Sequence, residues 1–272
     1  MRVLTFASQK GGSGKTTLAG HVAVEIELAG AGRVALIDTD PQGSLADWWN
    51  ARHADWPAFA HTSVNRLKAD LEELAKLGVD YAVIDTPPAI TSTIHRVIEI
   101  SDLVVIPTRP SPHDLRAAGA TVELVKSLGK NMTFVVNGAT PRARITAEAA
   151  IALSQHGTVA PVTIHQRTDF AASMIDGRTV MELDSRSRSS GEIGALWRYL
   201  ATRLHGVYRD TVLEMSQGAL EPREDAGESV EIPAAPTASV TNLAQTGQPQ
   251  GKGPAESKES TLDTPLKRAM GA

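Results

Sequence analysis

The 272-residue chain is long enough for one sizeable α/β domain with residues to spare, and its net charge of −4 excludes a globally basic coat for nucleic acid. It contains no cysteine, which rules out disulfides, a thiolate nucleophile and a cysteine-ligated cluster. No leader-like segment precedes the first apolar run, and no run approaches the roughly 18 residues of a membrane span, so a soluble, cytoplasmic protein is expected.

The first predicted strand, Val3-Leu4-Thr5-Phe6-Ala7, runs into Ser8-Gln9-Lys10-Gly11-Gly12-Ser13-Gly14-Lys15-Thr16-Thr17 and then a helix over Leu18 to Leu28. Strand, glycine-rich turn and helix is the context a phosphate-binding loop requires. Glycines let successive backbone N–H groups point at one anion, and the helix N-terminus adds a positive dipole. Lys15 supplies a full charge to the terminal phosphates, and the Thr16 hydroxyl is a ligand for Mg²⁺.

The ordinary loop pattern needs glycine where this chain has Gln9, and a second lysine, Lys10, stands at the front of the loop. Lys10-Gly11-Gly12-Ser13-Gly14-Lys15-Thr16-Thr17 resembles the deviant Walker A signature of the ParA/MinD family of dimerising ATPases. The resemblance implies a P-loop NTPase fold: a doubly wound, mostly parallel central sheet flanked by helices. It also implies that Lys10 reaches across a dimer interface to the partner's nucleotide. The lack of cysteine sets the chain apart from the iron–sulfur relatives of that superfamily.

Arg33-Val34-Ala35-Leu36-Ile37-Asp38 is a continuous apolar strand pattern ending in Asp38-Thr39-Asp40-Pro41-Gln42-Gly43. Two carboxylates at the carboxyl end of a parallel strand stand where such sheets bind ligands. The run resembles the family's Walker A′ segment, which implies that Asp38 supports the Mg²⁺ shell and Asp40 orients the attacking water. Read as residues alone, it is also an acidic turn able to cap a helix. Trp48, Trp49 and Trp56 follow, and the sequence leaves open whether they pack on the switch region or form a partner surface.

A weak strand around Phe59-Ala60-His61 precedes a helix from about Val64 to Leu77, with Leu67, Leu71 and Leu74 at helical spacing. Tyr81-Ala82-Val83-Ile84-Asp85-Thr86-Pro87-Pro88 then delivers Asp85 to the same sheet edge as a Walker B acid able to hold Mg²⁺ through a water. Thr86-Pro87-Pro88 resembles the family's switch II. A strand over Leu103 to Pro107, a helix from about Pro112 to Leu128 and a strand over Met132 to Asn137 come next. Asn137 lies where relatives place an adenine-contacting residue. Arg142 and Arg144 open the following helix, and Val159 to Ile164 reads as a last short strand.

Arg167 to Phe170, a short helix and Gly177-Arg178-Thr179-Val180 resemble the family segment that frames the base and approaches the dimer surface. A final helix runs from about Ser190 to Met215, with Ile193, Leu196, Trp197, Leu200 and Leu204 on one face. ParA-like relatives grip DNA without sequence preference through basic residues of this region, which implies Arg167, Arg186 and Arg188 as DNA contacts. From 216 to 272 the chain has no aromatics and is rich in small and polar residues, the composition of a disordered polar tail after an ATPase domain over 1–215. Its end, Leu262 to Met270, is a poor amphipathic helix, so a membrane partner is not expected.

The resemblance implies a slow, partner-stimulated ATP hydrolase whose cofactors are ATP and Mg²⁺ and whose ATP state is a homodimer. The first functional reading is a ParA-type partition or positioning ATPase, nucleoid-associated, that segregates or positions a plasmid, a chromosome region or a protein cargo, with a ParB-like or cargo-adaptor protein as partner. Because the chain starts at the first strand, operator-specific repression through an N-terminal helix-turn-helix extension is not expected of it. The alternatives are a membrane-cycling positioning ATPase of MinD type, an accessory ATPase of conjugative DNA transfer, and a dethiobiotin synthetase-like ligase. Lys10 and the Asp38/Asp40 run argue against the ligase.

Overall fold

A computed structural model describes residues 1–89 and 92–205, all within one compact unit. The expected domain boundary at 215, the rest of the last helix and the polar tail lie outside the described residues.

The chain alternates strand and helix from its start. β1 (Arg2–Phe6) and α1 (Lys15–Leu28) are followed by β2 (Val34–Asp38), α2 (Ser44–Asn50), β3 (Ala58–Phe59) and α3 (Leu67–Lys76). Next come β4 (Tyr81–Asp85), α4 (Ser92–Glu99), β5 (Leu103–Thr108), α5 (Pro112–Ser127) and β6 (Met132–Ala139). The described part closes with α6 (Arg144–Ser154), β7 (Thr158–Val159), β8 (Ile164–His165), α7 (Thr168–Met174), α8 (Val180–Leu183) and α9 (Arg188–His205).

The strands order as β3–β2–β4–β1–β5–β6–β7, with β8 beside the far end of β6, and each described pairing is parallel. This is the doubly wound arrangement, with helices covering both faces. It explains why β2, β4 and β5 read as unbroken apolar runs: both faces are covered, and Val34 to Ile37, Ala82 to Ile84 and Leu103 to Ile106 are buried.

α1 is buried nearly all round, so it carries no polar stripe. The sheet lies on one side of it, and α9 packs on the other through Ile193, Leu196, Trp197, Leu200 and Leu204, the face expected from spacing. The opposite layer is built by α4, α5 and α6, with Ile94, Ile98, Val122 and Val125 in its core. Leu67, Leu71 and Leu74 of α3 cover the β2–β4 side.

Several boundaries differ from the sequence reading. The strand expected over Val159 to Ile164 is two pieces, pairing with Thr133–Phe134 and Asn137–Ala139 of β6. Pro161 between them has no N–H for a ladder. Arg142 precedes α6 in a turn with φ 61, so only Arg144 is helical. α9 begins at Arg188, two residues earlier than expected.

Topology delivers the motifs to one edge. Asp85 pairs in register with both Phe6 and Asp38, so the carboxyl ends of β1, β2 and β4 lie side by side. The phosphate-loop sequence leaves β1 at the centre of that edge.

Candidate nucleotide site

Gly14 ends the loop as the N-cap of α1 in the left-handed region, with φ 96. Glycine is required there twice over: a Cβ would stand 2.1 Å from Asn137 Nδ2, and the φ itself disfavours any side chain. Asn137 fits into that space and donates Nδ2–H to the Ser13 carbonyl at 2.7 Å. In this structure Asn137 therefore buttresses the loop from β6; adenine contact would be a further role.

The loop presents unspent donors. The amides of Gly11, Gly12, Ser13 and Gly14 donate to no acceptor among the described residues. The Ser13 hydroxyl is buried without a partner, and nothing stands within 4 Å of the positions a Cβ would take at Gly11 or Gly12. Buried polar groups are normally paired, so the orphaned Ser13 hydroxyl beside a run of undonated loop amides describes a cradle for an anion.

Behind the cradle lie a cation and an acid. Burial holds the Lys15 ammonium below its usual pKa, against the attraction of Asp85 and Asp40. Asp85, 1% exposed, is pushed up to about 7 by burial despite the hydrogen bond it accepts. That bond comes from the Thr16 hydroxyl at 2.5 Å. A buried carboxylate next to a threonine oxygen, with too little positive charge to compensate it, is a fit for a divalent cation. Among the described residues no group of three or more acidic or histidine ligands could hold a metal by itself.

Asp38 and Asp40 divide the labour of the β2–α2 turn. Asp38 Oδ1 accepts from the Asp40 amide at 2.9 Å, and Oδ2 accepts from Leu45 and Ala46 at 3.0 and 3.2 Å. Asp38 thus caps α2, the structural role the residues alone left open, while each oxygen keeps spare lone pairs. Asp40 uses Oδ1 to accept from Gln42 N at 3.0 Å, and Oδ2 makes no hydrogen bond among the described residues. Asp40 lines a groove of about 840 Å³ that continues past His61 and Arg66.

Lys10 is engaged within its own chain. Its Nζ lies 2.6 Å from Asp114 Oδ2 in the first turn of α5. Burial raises the Asp114 pKa, but hydrogen bonds from Lys10 and Ser111 and the charges of Lys10 and Arg109 bring it below the ordinary value.

Sequence reasoning missed a second polar cluster that ties α1 and α2 to α7 and α8. Arg52, just past α2, has a side chain 1% exposed that makes a two-pronged pair with Glu182 and donates to the Gly177 carbonyl at 2.6 Å. Its guanidinium lies 4.9 Å from the centre of the Trp48 ring and 5.8 Å from that of Trp56. Trp48 Nε1–H donates to Arg178 O at 3.2 Å. Gly177 has φ 76, and a Cβ on it would meet Arg52 N at 2.3 Å. From α1, His21 donates Nδ1–H to Thr17 O at 2.7 Å and accepts Val180 N–H at Nε2 at 3.2 Å; the two contacts assign its tautomer. Burial drives its pKa down to about 4, so it is neutral. Clustered tryptophans beside the Asp38–Gly43 turn were the available signal: Trp48 and Trp49 are packing residues, and Trp56 stays exposed.

The three arginines expected at DNA are not equivalent. Arg167 makes two hydrogen bonds to Glu192, at 2.6 and 2.7 Å, while His165 takes up the same carboxylate. Arg186 and Arg188 are exposed and have no ion partner among the described residues.

A family model described as VirC1 protein matches residues 1–199. The chain is 31% identical over 198 residues to "Maintenance of carboxysome distribution protein A" of Halothiobacillus neapolitanus, covering 70% of this chain and 91% of the relative. It is 36% identical over 186 residues to "Protein virC1" of Rhizobium rhizogenes, covering 63% and 80%. The fold superposes on an ATP complex of a McdA variant from Cyanothece with a TM-score of 0.62 at 20% identity, over 76% of this chain and 96% of that one. With its parallel sheet, its loop of unspent donors and these similarities, the chain belongs to the VirC1 family of ParA-type ATPases.

Proposed function

We propose that this chain binds ATP with Mg²⁺, dimerises in that state, and hydrolyses ATP slowly until a partner protein accelerates it. One observation carries the reading: at a single sheet edge, four undonated loop amides and the orphaned, buried Ser13 hydroxyl gather in one loop, backed by Lys15 and the Thr16–Asp85 pair. Gly11, Gly12, Ser13 and Gly14 would bind phosphate oxygens through their backbone, with Lys15 as the counter-charge and Thr17 at the start of α1. Thr16 and Asp85 would hold Mg²⁺, with Asp38 supporting them from the α2 cap. The bound Mg²⁺ would neutralise charge developing on the phosphates.

Asp40 orients the attacking water through its uncommitted Oδ2. Lys10 serves the nucleotide of the second protomer, and Asn137 adds base contact to its support of the loop. Catalysis then rests on positioning and charge neutralisation.

In its ATP state the dimer binds DNA without sequence preference, which would give nucleoid association, and positions a cargo. Of the three arginines, Arg186 and Arg188 have no ion partner among the described residues and are free to meet phosphates; Arg167 joins them only by leaving Glu192. The carboxysome-distribution relative favours a protein assembly among the possible cargoes. No described helix is long and apolar enough to cross a membrane.

Lys15→Ala is expected to abolish ATP binding in calorimetry, and undiminished affinity overturns the nucleotide site. Asp40→Ala should still dimerise with ATP and stop turning over; hydrolysis at the parent rate removes Asp40 from water positioning. Duplex DNA of arbitrary sequence should be bound with ATP and released with ADP or at higher salt. Arg186→Glu/Arg188→Glu should lose that binding, and equal DNA affinity in all nucleotide states counts against the DNA reading.

A further inference from the structure

The lysine at the front of the loop is already occupied, and its partner is unusual. Asp114 lies 104 residues away at the start of α5, with a side chain 5% exposed against 40% for Lys10. Its Oδ2 takes the Lys10 ammonium at 2.6 Å and the Ser111 hydroxyl, while its own amide bonds Ser111 Oγ at 3.2 Å. Its Oδ1 is buried and has no hydrogen-bond partner among the described residues. Half of this carboxylate is therefore unsatisfied, and Lys10 is the cation in contact with it; Arg109 contributes from a distance.

We infer that Asp114 is a positioning residue that holds Lys10 inside its own protomer and so sets the threshold for ATP-dependent dimerisation. The inference rests on the dimerising reading above. For Lys10 to serve the opposite protomer it must leave Asp114, stranding a buried carboxylate whose other oxygen is already unpaired. Removing one member of a buried ion pair costs far more than the pair contributes, because the remaining charge stays desolvated. In a twofold-symmetric dimer the same cost falls on both protomers. Nothing stands within 4 Å of the positions a Cβ would take at the neighbouring Gly11 and Gly12, so no side chain crowds the loop at those two residues. The pair thus opposes assembly until nucleotide contacts outweigh it.

The test uses the full chain carrying Asp40→Ala to suppress turnover, with dimerisation followed by analytical ultracentrifugation at saturating ATP. Adding Asp114→Asn should lower the protein concentration at half-dimerisation by about tenfold or more. Ser111→Ala keeps the charge and loosens the grip, so it should shift the midpoint less but in the same direction, and it stands in if the asparagine variant does not fold. In nucleotide-free protein, acylation by an amine-reactive reagent, read by mass spectrometry, should become several-fold faster at Lys10, on the scale of a lost charged contact. Lys68 and Lys76 should not change. Unchanged or weaker dimerisation of these variants beside a dimerising parent overturns the latch. The acylation needs no dimer: unchanged Lys10 reactivity overturns the latch even in a parent that never dimerises, an outcome that by itself sinks only the dimerising reading.

Discussion

Two polar clusters share α1 and are built on opposite terms. At its N-terminus, Ser13 Oγ, four loop amides and most of the Asp85 charge lack compensation. Less than two turns further on, His21 has both ring nitrogens bonded, and Arg52 spends its guanidinium on Glu182 and two carbonyls. Both sites bury polar groups in a low-dielectric interior, where an unpaired group costs and a paired one rigidifies. The first retains bonding capacity for a ligand. The second holds the Asp38–Gly43 turn and α2 against α8, so the carboxylates reach the loop on a fixed frame.

The contrast predicts opposite signs on mutation. Arg52→Ala strands Glu182 and should lower unfolding stability by about 3–5 kcal/mol in urea denaturation. A loss under about 1 kcal/mol would mean the cluster is not structural in this sense. Asp85→Asn relieves a desolvated charge, so at pH 8 the nucleotide-free protein should gain on the order of 1–3 kcal/mol while losing its stabilisation by Mg²⁺ and ATP. A destabilised Asp85→Asn protein would remove the difference between the clusters.

Protonation sharpens the comparison. His21 titrates near 4 in the fold against 6.5 unfolded. Its contribution is complete above pH 6.5, and between 6.5 and 4 the unfolded chain binds a proton that the folded one refuses. Stability then falls by about 1.4 kcal/mol per pH unit, or about 3 kcal/mol in all. Asp85 runs the other way: its pKa is about 7 folded and 3.8 unfolded, so the fold retains a proton over that range and stability falls as pH rises. The two slopes oppose each other between pH 4 and 6.5. Asp85→Asn should therefore expose the acid-side loss of His21 as a steeper decline than in the parent, and identical pH profiles would refute the pairing. The smallest effect belongs to Ser13→Ala, which deletes an unsatisfied buried hydroxyl and should change stability by no more than about 1 kcal/mol, in the favourable direction. A clear loss by thermal melting would mean Ser13 is already satisfied in the free protein.

Much of the site was legible before the fold. The glycine spacing ahead of Lys15 and Thr16, and acids at the ends of two apolar strands, are contiguous patterns whose chemistry needs only the strand–turn–helix context. The β7–β8 break at Pro161 and the two-residue offset of α9 were lost at element boundaries, where local propensity is weakest. Asp114 and His21 each fall inside an expected helix and are singled out by no motif. Neither position has a neighbour in sequence that reveals its partner.

From its sequence alone, this protein determined the alternation of strands and helices, the phosphate loop and the edge of the sheet to which Asp38, Asp40 and Asp85 are delivered. Those features follow from local periodicity and from the rule that parallel strands open their ligand crevice at their carboxyl ends. Tertiary structure decided which charges are spent: Lys10 on Asp114, Arg52 on Glu182 and the His21 ring on the Val180 amide, across 104, 130 and 159 residues. Pairings of that range depend on how layers pack around α1, and burial, which exists only once those layers meet, gives each of them its energy.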